Sequence, residues 1–249
     1  MCFWPFEHPV AGARIRDQAH VPNDSSKRNA MLTIHHLNNS RSLRMLWLLE
    51  ELGQPYEIKQ YRRDGQTHRA PAELTLIHPL GKSPVITDGD ITVAESGAIV
   101  EYLVDTYGHG RLKPAVGTAA RREYTYWLHY AEGSLMPLLL MGLMIGRRGR
   151  SSQPGAQTVA REIRESFLEP ELKKHLAFVD RHLANIPWFA GTEVSGADMQ
   201  MGFVLDMADG STPYTKSLPH VQAYLQRMRQ RPAYQAAEAK GGSNDYNFT

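Results

Sequence analysis

Residues 81–97 constrain this chain more than any other stretch. Gly81-Lys82-Ser83-Pro84-Val85-Ile86 reads as a strand started by a proline, Asp88-Gly89-Asp90 as a tight turn, residues 91–94 as a second strand, and Glu95-Ser96-Gly97 as a helix start. Proline lacks the N–H that a sheet ladder needs, so it belongs at the beginning or the edge of a strand. Asp-Gly between two strand-like runs is a hairpin signal. This order sets a free backbone edge beside the polar N-terminus of a helix, a pairing suited to an extended peptide with a carboxylate at one end.

The rest of the composition is that of a globular protein. Of 249 residues, 42% are hydrophobic and 22% charged, enough for one large core or two small ones. Lys and Arg number 28 against 26 Asp and Glu, a balance that gives no bulk reason to expect nucleic acid or an anionic membrane as partner. The one basic run, Arg147-Arg148-Gly149-Arg150, is expected in a solvated loop. Cys2 is the sole cysteine, which rules out an intramolecular disulfide and a Cys-x-x-Cys redox or zinc motif; a reducing cytosol fits. The apolar run 135–145, broken by Pro137 and Gly142, falls short of the ~20 residues of a membrane span. His35 and His36 are neighbours on a strand, so they face opposite ways and cannot share a metal. Residues 1–30 have no helical period and lack the basic start and apolar core of a secretory leader; they read as an extension.

Residues 32–37 suit a short buried strand. A turn at 38–41 leads into a helix over 42–52, which Ser42 can cap and Gly53 can end. Residues 56–61 read as a second strand, and the β-α-β order implies a parallel pair. Residues 62–80 read as a loop with at most a short helix, and Gly108 stops a helix over 96–107. The α/β unit is thus 31–108. A Gly- and Pro-containing linker, 109–117, separates it from a wholly helical region, 118–240. There the pattern predicts a helix over 118–144 bent at Pro137, another over 155–185 kinked at Pro170, one capped by Ser195 and Asp198, and two more over 218–231 and 233–239. Residues 241–249 form a tail.

This order resembles the glutathione transferase family at several separate points. They are the Ser40-Arg41-Ser42-Leu43-Arg44 turn, the His78-Pro79-Leu80-Gly81-Lys82-Ser83-Pro84 approach to the third strand, Glu95-Ser96, the Ser195-to-Asp198 cap, Pro219-His220-Val221 and Arg231-Pro232-Ala233-Tyr234. The likeness covers about residues 31–240. It implies an α/β thioredoxin-like N-terminal domain that binds glutathione and an all-α C-terminal domain that holds the electrophile. The implied activity is stabilisation of the glutathione thiolate and its addition to hydrophobic electrophiles, with glutathione-dependent peroxide reduction as a second activity. The Asn38-Asn39-Ser40 turn looks like a bacterial and fungal subgroup with a serine-type or asparagine-assisted site. A cysteine-type member is disfavoured, since no cysteine lies near Ser40 in sequence.

By that resemblance Ser40 donates a hydrogen bond to the sulfur, with Asn39 as its rival. A cis Pro84, preceded by Ser83, turns the Val85 N–H and C=O to the cysteinyl backbone. Glu95 and Ser96 clasp the γ-glutamyl end, and Lys82 reaches the glycyl carboxylate. Tyr130, Met136 and Trp127 face the electrophile, while Glu132 and Ser134 approach glutathione or serve a dimer contact. Arg44 stays outside the site. The family further implies a cytoplasmic homodimer with no metal, nucleic acid or membrane partner. A second reading is a non-catalytic, transferase-like module for dimerisation or partner binding.

Overall fold

The computed structural model describes residues 31–242. The extension expected over 1–30, and the tail beyond 242, lie outside the described residues. The chain begins β1 (Thr33–Leu37), α1 (Leu43–Leu52), β2 (Glu57–Tyr61), a short 3₁₀ turn (Ala72–Leu76), β3 (Val85–Asp88), β4 (Ile91–Ala94) and α2 (Ser96–Tyr107). One sheet results, in the order β2-β1-β3-β4. β1 pairs parallel with β2, with Thr33 opposite Glu57. β3 runs antiparallel to both β1 and β4. The interior strand β1 buries Ile34, His35, His36 and Leu37, whereas the edge strand β2 exposes Glu57, Lys59 and Gln60.

α1 is buried almost all round, which accounts for its Leu-rich sequence. Gly53 ends it in the left-handed region, at φ 66°, where a Cβ is costly. α7 (Gly196–Ser211) and α9 (Pro232–Gly241) both pack on α1. A Cβ on Gly202 of α7 would come within 3.0 Å of the Trp47 ring and 2.6 Å of the Met228 sulfur, so a side chain there would part the two helices. Charge pairs tie α9 to α1 at both ends: Arg231 Nη2 donates to Glu51 Oε2 at 2.8 Å, and Lys240 meets Glu50.

The helical half holds α3 (Ala119–Tyr130), α4 (Met136–Gly149), α5 (Ala156–Ile163), α6 (Glu169–Leu183), α7, α8 (Pro219–Arg229) and α9. The expected bend at Pro137 and kink at Pro170 take the same form. Each proline is preceded by a π-helical turn, Ala131–Leu135 and Arg164–Leu168. Proline has no N–H to give. The bonding register widens just before it: Met136 N–H donates to Ala131 O, and Glu169 N–H to Arg164 O. α3, the first π-turn and α4 thus run on as one 31-residue helix, long and apolar enough to cross a membrane by length and composition, which the shorter apolar run in the sequence did not suggest. In the fold it buries Tyr124, Trp127, Leu135, Met136 and Leu139 in the common core.

Two further expectations change. Arg147 and Arg148 are not in a loop but in the last turn of α4. Ser42 does not cap α1 with its side chain, because that hydroxyl is taken up elsewhere. The Ser195–Asp198 cap does form. The Asp198 carboxylate accepts from the Ser195 N–H at 2.8 Å, the Ser195 hydroxyl at 2.9 Å and the Phe189 N–H at 2.9 Å. Gly196 N–H in turn donates to Leu112 O at 2.8 Å, pinning the segment between α2 and α3 to the start of α7.

Candidate active site

The turn after β1 is held by a chain of hydrogen bonds with one direction. The Gly241 carbonyl can only accept, so His36, 2.9 Å away, carries its proton on Nε2. Burial pulls the His36 pKa down, against a smaller upward pull from the Gly241 carbonyl, so the ring is neutral and its Nδ1 is an acceptor. Ser42 therefore gives its proton to His36 Nδ1, at 2.8 Å. The 2.7 Å contact between Ser40 Oγ and Ser42 Oγ must then have Ser40 as donor, while Ser40 Oγ accepts the Ser42 N–H at 3.2 Å. In the ligand-free protein the Ser40 proton points into the turn. This is also why Ser42 is no helix cap. Gly241 permits the approach of α9, since a Cβ there would meet the His36 ring at 3.1 Å and Leu46 Cδ1 at 2.5 Å. His35 faces the other way, towards the Tyr61 hydroxyl at 3.0 Å and Thr87 Oγ1 at 3.4 Å.

The Ser83–Pro84 bond is cis. The free edge expected at Val85 is absent, however. Val85 stands between His35 of β1 and Ala94 of β4 and is 1% exposed. The sequence shows the proline but not the strand order, and β3 is interior because β1 takes its other side. Ser83, one residue before the proline, is half-buried and its hydroxyl donates to His35 O at 2.8 Å. Lys82 is exposed.

Glu95 and Ser96 open α2. Glu95 is exposed and holds φ at 70°. Ser96 is buried, with its Oγ 3.2 Å from Gln200 Nε2 and 3.4 Å from Arg44 Nη1. Arg44 lies at the junction of the two halves. Its Nη1 is 2.9 Å from Glu132 Oε1 and also meets Gln200, and its guanidinium sits 4.5 Å from the Phe203 ring centre. Glu132 also takes the Arg41 Nε at 3.0 Å. Burial raises the Glu132 pKa, but Arg44 and Arg41 outweigh it and hold the carboxyl below the usual range.

A cavity of about 890 Å³ runs between the two halves, within the size range of small-molecule sites. It brings together Asn39, Ser40 and Arg41 from the turn, Ser83 before β3, Arg63 and residues 66–69 from the loop after β2, and one face of α4 and α7. Lys82, Val85, Glu95 and Ser96 do not line it. Of the three side chains expected against the electrophile, Met136 does. Trp127 and Tyr130 do not, because they pack inward on α6. Trp127 stacks on Phe178 at 5.5 Å, and the Tyr130 hydroxyl lies 2.6 Å from His175 Nδ1. Trp127 and Tyr130 stand nine and six residues before Met136, and at about 100° per residue neither spacing returns to the face of Met136.

Beside Met136 and Leu140, which the sequence places on the apolar surface of this helix, the wall has Leu143, Phe203 and Met207, and its charged part has Arg41, Arg63, Arg69, Arg147 and Arg150, none of them expected from the sequence. Leu143 and Arg147 could have been found from spacing, since 136, 140, 143 and 147 recur at helical intervals of four and three. Asn39 and His68 both line the cavity at positive φ, 50° and 55°, a strained setting for a non-glycine residue that is commonest at functional sites. A second cavity, about 500 Å³, adjoins the first through Leu143, Arg150 and Met207. Among the described residues no group of three or more His, Cys, Asp or Glu is placed to hold a metal ion.

Comparison with known proteins gives the same architecture. Residues 31–105 match the model of the glutathione S-transferase N-terminal domain, and residues 151–232 that of the C-terminal domain. Glutathione S-transferase 3 of Schizosaccharomyces pombe is 37% identical over 86% of this chain and 89% of its own length. Glutathione S-transferase 1 of Saccharomyces cerevisiae is 31% identical over 88% of this chain and 98% of its own. A crystal structure of a glutathione S-transferase from Actinobacillus pleuropneumoniae superposes with a TM-score of 0.75 at 33% identity, covering 87% of this chain and 95% of that one. Fold and relatives define the class: a transferase enzyme built from a thioredoxin-like sheet domain and a helical domain. The chain belongs to the glutathione S-transferase family.

Proposed function

We propose that the cavity binds glutathione along the sheet domain and an electrophile against α4 and α7. The observation that carries this reading is that one cavity joins the Asn39–Ser40 turn to the apolar wall of Met136, Leu140, Leu143, Phe203 and Met207. A thiol held at that turn faces a surface suited to a hydrophobic partner. The glutathione thiol loses its proton to water. The thiolate sulfur then forms a C–S bond with the electrophilic carbon, and the leaving group departs with its electron pair; in an addition, the resulting carbanion takes a proton from water.

The backbone of Ser83 takes the cysteinyl portion of glutathione, in place of Val85. The α2 N-terminus, with Glu95 and Ser96, takes the γ-glutamyl end, and His68 with Arg69 takes the glycyl carboxylate in place of Lys82. A thiolate is a charged acceptor, stronger than a neutral hydroxyl. It therefore draws the Ser40 proton out of the bond to Ser42, and Asn39 beside it is the second donor. The exposed Leu76 and Leu80 ahead of β3 support a homodimer, and sedimentation at graded concentrations reads it. A cytoplasmic location agrees with the lone cysteine.

Ultraviolet absorbance of bound glutathione thiolate, titrated with pH, tests the activation step. Ser40→Ala is expected to raise the apparent thiol pKa by about one unit, the weight of one charge-assisted hydrogen bond. An unchanged pKa in Ser40→Ala with a raised one in Asn39→Ala moves the role to Asn39. Absence of glutathione binding at millimolar concentration overturns the enzyme reading in favour of a partner-binding module.

A further inference from the structure

The cavity is lined by five arginines and no carboxylate, on a chain whose total charge is only +2. Positive charge is therefore concentrated there. Arg41 shares the single charge of Glu132 with Arg44. Arg63, Arg69 and Arg147 form no ion pair among the described residues. Arg63 is fixed by neutral oxygens alone: Nε donates to Asn38 O at 3.1 Å, Nη1 to His68 O at 3.0 Å and Nη2 to Asn39 O at 3.1 Å. Its pKa is drawn down by burial first and then by the repulsion of Arg147 and Arg41. Clustered like charges that are left without counter-charge favour an anion in the space they face.

Glutathione does not supply enough of it. On the reading above, its γ-glutamyl carboxylate and ammonium lie at the α2 N-terminus, outside this cavity. Its glycyl carboxylate is one charge and goes to Arg69 and His68. Arg63 and Arg147 remain. Arg147 also continues the stripe of Met136, Leu140 and Leu143 on α4, so an apolar body on that stripe ends at a guanidinium.

Resting on the transferase reading, we infer that the electrophile is an amphipathic anion: an apolar reactive body on the α4 stripe, with a carboxylate bound by Arg147 and, behind it, Arg63. A guanidinium fork matches a carboxylate's two oxygens. The competing explanation is that Arg147 merely offsets the dipole at the C-terminal end of α4.

Two measurements on the full chain separate these. The first is binding, by calorimetry in the presence of glutathione, of a nitrobenzoate and of its methyl ester, neither of which carries a leaving group. Wild type is expected to favour the acid by about tenfold, the effect of one charge-assisted hydrogen bond. That preference should vanish in Arg147→Gln, persist in part in Arg147→Lys and shrink with added salt. Equal affinities in wild type, or a preference that survives Arg147→Gln, overturns the inference. The second is turnover of a chloronitrobenzoate and its methyl ester, each kcat/KM divided by its uncatalysed rate with glutathione. Sulfur forms the new bond to the ring carbon, and chloride leaves with the electron pair. The acid-to-ester ratio should follow the binding ratio across the three proteins. If the acid binds preferentially and neither compound is turned over, the anion site stands and the transferase reading falls.

Discussion

Burial keeps His36 neutral, and neutrality decides which way every proton in the turn points. With Nε2–H given to Gly241 and Nδ1 accepting from Ser42, the Ser40 hydroxyl has one place to send its proton until a stronger acceptor arrives. The same burial makes the turn sensitive to acid. His35 and His36 both have folded-state pKa values held below the ordinary histidine value, His35 by burial and then by Lys59. As pH falls through about 6.5, the unfolded chain takes up protons that the folded chain resists. Stability from these groups is therefore present above that pH and lost below it. Between about pH 8 and about pH 5 the histidines' share of the denaturant midpoint should fall on the acid side, while Asp198, pushed up to about 6, takes up a proton in the folded state and pulls the other way. His36→Gln should make the fall shallower, and an identical slope in the variant would remove His36 from the account.

At the scale of elements, the start of α7 is set by Asp198. Its carboxylate is fully buried and accepts three hydrogen bonds from Ser195 and Phe189. Burial dominates those contacts and pushes its pKa up to about 6. Asp198→Ala would leave buried donors unpaired at roughly 1–3 kcal/mol for such a group. A loss of about 3 kcal/mol in a denaturant titration is the expected result; a loss under ~0.5 kcal/mol, the size of a surface change, would contradict it. This cap was readable in the sequence because it is local: Ser195 and Asp198 are three residues apart. The strand–turn–helix order was readable for the same reason, whereas the cis form of Pro84 came only from the family resemblance. Val85 and Tyr130 were misread because their exposure depends on partners that local patterns do not reveal. Val85 is covered by β1, about fifty positions earlier, and Tyr130 is held against His175 of α6, 45 positions later. The arginines escaped notice because Arg63 and Arg147 lie far apart in the chain and meet across the cavity.

For the molecule as a whole, Glu132 is the charged clasp between halves. It rises from the first π-turn and holds Arg41 and Arg44, the latter with a side chain 1% exposed. Removing one partner of a buried pair strands the other charge. Because Glu132 is about a third exposed, Glu132→Gln should cost about 3 kcal/mol, the low end for buried pairs. Equilibrium unfolding followed by fluorescence should then shift as a whole or split into two transitions; an unmoved midpoint would show that apolar packing of α1 against α7 and α9 suffices. The π-turn that carries Glu132 has one more consequence. It is a place where the winding of the helix, not side-chain identity, decides what the cavity sees. Losing one residue between 131 and 135 would restore regular winding with the stripe in place, but regular winding of the same residues would swing the whole α4 stripe by about 100°. Met136, Leu140, Leu143 and Arg147 would leave the cavity together, and a different set of side chains would meet the substrate without one of them having been replaced.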